Sequence, residues 1–392
     1  MKDTIYLDHA AATPMSERVL AAMQPYYSER FFNPSSPYLP AVEVRRAYDA
    51  AKDEIAAAIG AKGSDIITTA GATESINLAF CLPRVKRSSV VVSAIEHPSV
   101  MAAATRETLF TKVRLAGVNK HGIVDLDDLG RQIANDTRIV SVALVNGELG
   151  SIQPISDIAR LVEAERLRRL KNSEHVSIYF HCDASQGFGL LDVNVARLGV
   201  DMLTLNAGKI YGPKQVGLLW VKPGVKLEPI VVGGGQETGL RSGTENVAGV
   251  IGFAAAVRDA KKHQKSEVKR LGELKKILKN RLLAIDGIEF LGSDKKQLTS
   301  FLPIVVPGVD AERLIFMLEQ DGVLLSTGAA CAASKGAQSH VLSAIGLSDD
   351  EAAGSLRISL GKLSDEANVA RAADLIVAAV KLERERLRKA GK

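Results

Sequence analysis

Two residues could do covalent chemistry together. Lys209 stands in Asn206-Ala207-Gly208-Lys209-Ile210-Tyr211-Gly212, directly after the apolar run at 200–205. Asp183 closes a similar run, Val176-Ser177-Ile178-Tyr179-Phe180-His181-Cys182-Asp183. An amine and a carboxylate at neighbouring strand ends supply what pyridoxal phosphate requires. The lysine binds the aldehyde covalently, and the acid keeps the ring nitrogen protonated so that the ring withdraws electrons. By position alone Lys209 fits a surface loop at least as well, so the case rests on the motifs around it.

Gly71-Ala72-Thr73-Glu74-Ser75 follows a strand pattern and opens a helix. Small residues there admit an anion to the free N–H groups of the helix start, and Thr73 adds a hydroxyl; an ordinary helix cap explains the same string. In Ile95-Glu96-His97-Pro98-Ser99 a histidine sits at a strand end. Such an imidazole could stack on a cofactor ring and move protons, although a lone histidine is more often structural. Asn146 and Gln186 offer amides at two further strand ends, and turn formation accounts for Asn146 as well. The glycine-rich stretch 233–244 carries Arg241, Ser242 and Thr244, which fits a second phosphate-approaching loop better than a flexible linker. Cys331 lies among very small residues, with Lys335 placed to favour a thiolate. On the residues alone, nucleophile and structural cysteine stand level. Arg357, in Ser355-Leu356-Arg357-Ile358-Ser359, could clamp a substrate carboxylate or form an ordinary salt bridge.

The elements that must position these residues follow from periodicity. Helical spacing runs from Ala41 to Ile59 and is closed by Gly60; another helical stretch covers 156–171. Strand patterns occupy 65–69, 89–94, 138–145 and 176–180. Near-continuous Val/Ile strands alternating with helices predict an α/β fold with a mostly parallel sheet covered on both faces. Ligands of such sheets bind beyond the carboxyl ends of the strands, and Thr73, His97, Asn146, Asp183 and Lys209 all fall just after strand patterns. Residues 245–285 read as long amphipathic helices, and 286–392 mix strands (301–306, 322–326) with helices in a smaller α+β domain. A chain of 392 residues is expected to form two domains.

Composition narrows the function class. The net charge of +5 is dispersed, which gives no case for direct nucleic-acid binding. No apolar run reaches membrane-spanning length, and the first residues lack a signal core. Cys81, Cys182 and Cys331 are spaced for neither disulfides nor a metal site, so a cytoplasmic location is expected.

Taken together the motifs resemble the NifS/IscS-like cysteine desulfurases. The resemblance begins at Tyr6-Leu7-Asp8-His9-Ala10-Ala11-Ala12-Thr13-Pro14 and Asn33-Pro34-Ser35-Ser36 and ends past Arg357. It implies the fold type I architecture of pyridoxal phosphate enzymes, with a seven-stranded sheet in a large domain at residues 16–255. Residues 1–15 and 256–392 would form the small α+β domain, carrying a mobile cysteine loop at about 326–340. It implies a homodimer, L-cysteine as substrate, and a sulfur acceptor such as an iron–sulfur scaffold or a tRNA-thiolation enzyme. Lys209 would hold the cofactor and move the α-proton, with Asp183 on the ring nitrogen. Gln186 and Asn146 would bond near the ring hydroxyl and the substrate, and His97 would stack on the ring. Ala72, Thr73, Asn206 and, from the other subunit, Thr244 would hold the phosphate. Arg357 would bind the substrate carboxylate and Cys331 would take the sulfur. The family usually has serine where this chain has Asn206 and histidine where it has Gly208, so somewhat looser cofactor binding is expected. The same fold also serves aminotransferases, selenocysteine lyases and degenerate scaffolds; Cys331 in its small-residue loop and the retained Lys209, Asp183, His97 and Arg357 speak for the desulfurase.

Overall fold

The computed structural model describes residues 4–328 and 339–391. Seven strands form the central sheet in the order Ile66–Thr69, Gly217–Val221, Met202–Asn206, Tyr179–Asp183, Thr137–Ser141, Ser89–Ser93, Lys112–Ala116. Every neighbouring pair is parallel except at Gly217–Val221, which runs against both its neighbours. Alternate side chains point to opposite faces. Val91, Val140, Phe180 and Leu203 pack under the helices Leu39–Ala58 and Ile155–Lys171. Val90, Val92, Ile139 and Met202 pack under Ala72–Ala79 and Pro98–Ala104. Both faces are covered, which is why the strands read as unbroken apolar runs; fully burying each such side chain contributes roughly 1.5–3 kcal/mol.

A second sheet, in the order Ser326–Thr327, Ser355–Ser359, Phe301–Val305, Glu289–Phe290, is wholly antiparallel. Its core includes Leu314, Leu318, Ile376 and Val380 from the helices Ala311–Gln320 and Glu366–Lys389. Ile5 and Leu7 belong to this core, and Ile5–Tyr6 pairs in parallel with Val323–Leu324.

Several element bounds differ from expectation. The 245–285 region is one helix, Val247–Leu282, and not several: no proline interrupts it, and it packs first into the large core and then into the small one. The strand expected over 322–326 splits in two, because Val323–Leu324 and Ser326–Thr327 pair in different sheets. The strand expected over 138–145 ends at Ser141, and the one expected from Val176 begins at Tyr179. No described helix is long and apolar enough to cross a membrane.

Candidate active site

Lys209 is placed by the turn that ends its strand. Asn206 closes Met202–Asn206, and its Oδ1 accepts the Gly208 N–H at 3.0 Å, starting a single 3₁₀ turn over Ala207–Lys209. The Lys209 ammonium donates to the carbonyls of Ala10 at 2.7 Å and Ala11 at 2.8 Å. Gln186 Nε2 donates to the same Ala10 carbonyl at 2.8 Å. Thr13 Oγ1 donates to the Gly208 carbonyl at 3.0 Å and accepts the Tyr211 N–H at 2.9 Å. The segment from Ala10 to Thr13 is therefore built onto the lysine turn. Lys209, Gln186 and Tyr211 also line a cavity of about 390 Å³ that reaches Asp259 and Glu267 of the long helix.

Asp183 ends the strand beside that of Lys209, opposite Thr204 in the ladder. Its Oδ1 accepts the Ser185 hydroxyl at 2.6 Å and the Ser185 N–H at 3.0 Å. Two residues back on the same face, His181 is fully buried between Ser141 Oγ at 2.9 Å and Thr204 Oγ1 at 3.0 Å. Burial pulls its pKa down to about 4, with Asp183 opposing, so His181 is neutral at physiological pH. His97 caps the helix Pro98–Ala104, with Nδ1 accepting the Ser99 N–H at 3.1 Å. The residue stays open to solvent on one side, yet the surrounding chain desolvates its ring and lowers its pKa. Lys209 and His340 act in the same direction and Asp183 opposes them. His97 therefore lies within electrostatic reach of Asp183, Lys209 and His340.

An open helix start follows the edge strand Ile66–Thr69 of the same sheet. Ala72–Ala79 has no side-chain cap, and Gly71 before it takes φ 119°, a backbone state that suits only glycine. Thr73 is exposed, as is Thr244. Glu74 is turned back: its Oε2 accepts the Ala70 N–H and its Oε1 accepts Arg241 Nε, each at 2.9 Å. Glu237 ties the glycine-rich stretch down, accepting Lys52 Nζ at 2.9 Å and the Thr68 N–H at 2.7 Å. Its neighbours within the stretch gave no hint of that anchoring role, since its partners lie far off in sequence.

Asn146 and Arg357 are joined through the turn at Gly147. Asn146 Nδ2 donates to the Ile95 carbonyl at 2.8 Å, while Oδ1 accepts the N–H groups of Glu148 at 2.9 Å and Leu149 at 2.8 Å. The turn role weighed for Asn146 is thus the one its amide performs here. Arg357 lies mid-strand, nearly buried, donating to Asp8 Oδ1 at 2.8 Å and to the Gly147 carbonyl at 3.1 Å. The salt bridge weighed for it is present, and its Nε is buried without a hydrogen-bond partner among the described residues. Cys331 and Lys335 lie outside the described residues.

Two acids escaped sequence reasoning. Glu96 is fully buried, with Oε1 accepting the Ala143 N–H at 2.9 Å and Oε2 without a hydrogen-bond partner among the described residues. Burial pushes its pKa up to about 8, and Asp183 adds to the effect. Burial pushes Glu148 up to about 7, against the Ser339 hydroxyl at 2.6 Å and Arg357. Their only sequence signal was adjacency to His97 and Asn146.

An amine, a carboxylate on the adjacent strand, an imidazole and an uncapped helix start together form a donor set that fits a phosphorylated heteroaromatic aldehyde. The aminotransferase class-V family model matches residues 5–371. Over 388 residues the chain is 37% identical to cysteine desulfurase IscS 1 of Archaeoglobus fulgidus, spanning 98% of this chain and 97% of that protein. This chain belongs to the NifS/IscS cysteine desulfurase family. Solved structures agree with the placement of this desulfurase-family chain. A NifS-like protein superposes with a TM-score of 0.87 at 31% identity, covering 97% of this chain and all (100%) of that one. SspA in complex with cysteine superposes with a TM-score of 0.77 at 32% identity, covering 91% of this chain and 99% of that one. The large sheet with helices on both faces is the fold of these neighbours.

Proposed function

We propose that this protein is a pyridoxal phosphate-dependent cysteine desulfurase, converting L-cysteine to L-alanine and retaining the sulfur on Cys331 as a persulfide. The observation that carries the reading is that His97 lies within electrostatic reach of Asp183 and Lys209. The relative solved with cysteine supports the substrate. When bound, the cofactor withdraws electrons from the amino acid and makes its Cβ–Sγ bond breakable. Lys209 would hold the cofactor and move the α-proton, and Asp183 would keep a proton on the ring nitrogen. His97 would stack on the ring and shuttle protons. Ala72, Thr73, Asn206 and, from a second subunit, Thr244 would hold the phosphate. Gln186 and Asn146 would lie near the ring hydroxyl, and Arg357 would receive the substrate carboxylate. The Cys331 thiolate attacks the substrate sulfur; the Cβ–Sγ bond breaks with its electron pair left on carbon, and a proton completes the methyl group of alanine.

The assembly belongs to the same reading. Tyr27, Phe31, Tyr38 and Leu39 are large, exposed and close in sequence, which supports a homodimer that covers them. Residues 16–255 act as the cofactor-binding domain, with 1–15 and 256–392 as the smaller one. The persulfide passes to an acceptor protein in the cytoplasm, for iron–sulfur cluster assembly or tRNA thiolation. Mass spectrometry after exposure to L-cysteine tests the chemistry. One added sulfur atom on Cys331 with alanine released is expected. Sulfide release that persists in Cys331→Ser, with no sulfur on the native cysteine, overturns it.

A further inference from the structure

The helix His340–Ala344 starts at the C-terminal root of the segment that bears Cys331, and its attachment is unusually polar. Ser339 is its cap, accepting the N–H groups of Val341 at 3.2 Å and Leu342 at 3.3 Å. The one hydroxyl proton of Ser339 goes elsewhere, to Glu148 Oε2 at 2.6 Å. His340 Nε2 donates to the Glu96 carbonyl at 2.8 Å. Beneath these bonds Val341, Leu342 and Ile345 pack on Ile95 and Leu149. The root is therefore fastened to the two strand-end turns that carry His97 and Asn146. Glu148 occupies the junction: the carbonyl of its neighbour Gly147 holds Arg357, and Arg357 in turn holds Asp8. A carboxyl group this enclosed is costly to keep, and the hydrogen bond it makes is the one to Ser339.

We propose that Glu148 is a positioning residue for sulfur transfer. By gripping Ser339, the first described residue after the stretch that carries Cys331, it ties that point of the chain to the turn bearing Asn146, without touching the amino acid. The inference rests on the desulfurase reading and deepens it.

The test uses the holoenzyme and the variants Glu148→Ala, Glu148→Gln and Ser339→Ala. Three quantities are read: L-alanine affinity from cofactor absorbance, the single-turnover rate of sulfur appearance on Cys331, and hydrogen exchange of the 341–344 amides without substrate. Loss of the Ser339–Glu148 hydrogen bond predicts a roughly tenfold slower transfer in Glu148→Ala and Ser339→Ala, with alanine affinity changed less than about twofold. Exchange at 341–344 should rise in both. Glu148→Gln keeps an acceptor oxygen and should recover most of the rate. Native transfer rates in Glu148→Ala overturn the proposal, as does an equal loss of alanine binding and transfer. Should Glu148→Ala fail to fold, a native rate in Ser339→Ala overturns it alone. A native enzyme that places no sulfur on Cys331 overturns the desulfurase reading instead, and substrate-free exchange keeps the two failures apart.

Discussion

At the scale of single residues, the turn before Lys209 offers a direct experiment. A Cβ built on Gly208 meets nothing nearer than Asn206 Oδ1 at 3.4 Å, an ordinary contact, so a side chain can be accommodated there. Gly208→His should tighten cofactor binding by about 10- to 100-fold at most, since a hydrogen bond to a charged group contributes roughly 1.5–3 kcal/mol. Equal cofactor dissociation rates in the two proteins would count against a missing phosphate donor. Glu96 makes a different prediction. Its folded pKa of about 8 lies above the ordinary 4.5, so in this window the native state holds a proton that the unfolded chain releases. Stability therefore falls as pH rises towards about 8, by up to roughly 1.4 kcal/mol per pH unit, and the loss is complete above it. Glu96→Gln should lack that slope; urea midpoints measured from pH 5 to pH 9 check it, and parallel curves would show an ionised Glu96. That Lys209 and Asp183 follow neighbouring strands was legible in advance because an apolar run precedes each. Glu96 and Glu148 were not legible, because the protein mass that raises their pKa comes from segments far away in the chain.

At the scale of elements, the strand Gly217–Val221 explains how the turn before the helix Ala72–Ala79 comes close. A Cβ on Gly217 would stand 2.7 Å from the Gly71 backbone and 2.9 Å from the Leu205 carbonyl. Gly217→Ala should cost roughly 1–3 kcal/mol through overpacking and weaken cofactor retention, because it displaces the turn that opens Ala72–Ala79. Unfolding midpoints and cofactor release report the two effects separately. The parallel character of the sheet was legible from its Val/Ile runs, but this reversed strand was not: its composition matches its neighbours, and direction is set by the short turn after Lys209. Strand ends were legible to within a few residues. The 322–326 region misled because one apolar run serves two sheets.

At the scale of the whole molecule, the helix Val247–Leu282 joins both cores. Val250, Phe253 and Val257 pack under the large sheet, while Leu271, Leu274 and Leu278 pack against the small one. Leu278 is fully buried, so Leu278→Ala should cost about 2–5 kcal/mol, visible as a lower denaturant midpoint. The exposed aromatic group at Tyr27 and Phe31 leads to a further expectation: Phe31→Asp should shift sedimentation towards monomer, and an unchanged profile would remove this surface from the subunit contact.

The strap formed by the first described residues has a consequence for synthesis. Leu7, His9 and Ala10 all hydrogen-bond to Ser359, and Ala10 and Ala11 receive the amine of Lys209. Ala10 and Ser359 stand 349 residues apart, so the strand that seats this strap is synthesised long after it. A nascent chain stalled before Ser355 would own every strand of the large sheet and still lack a finished lysine pocket. Seating of the lysine amine is thus settled only once two widely separated stretches of the polypeptide have met.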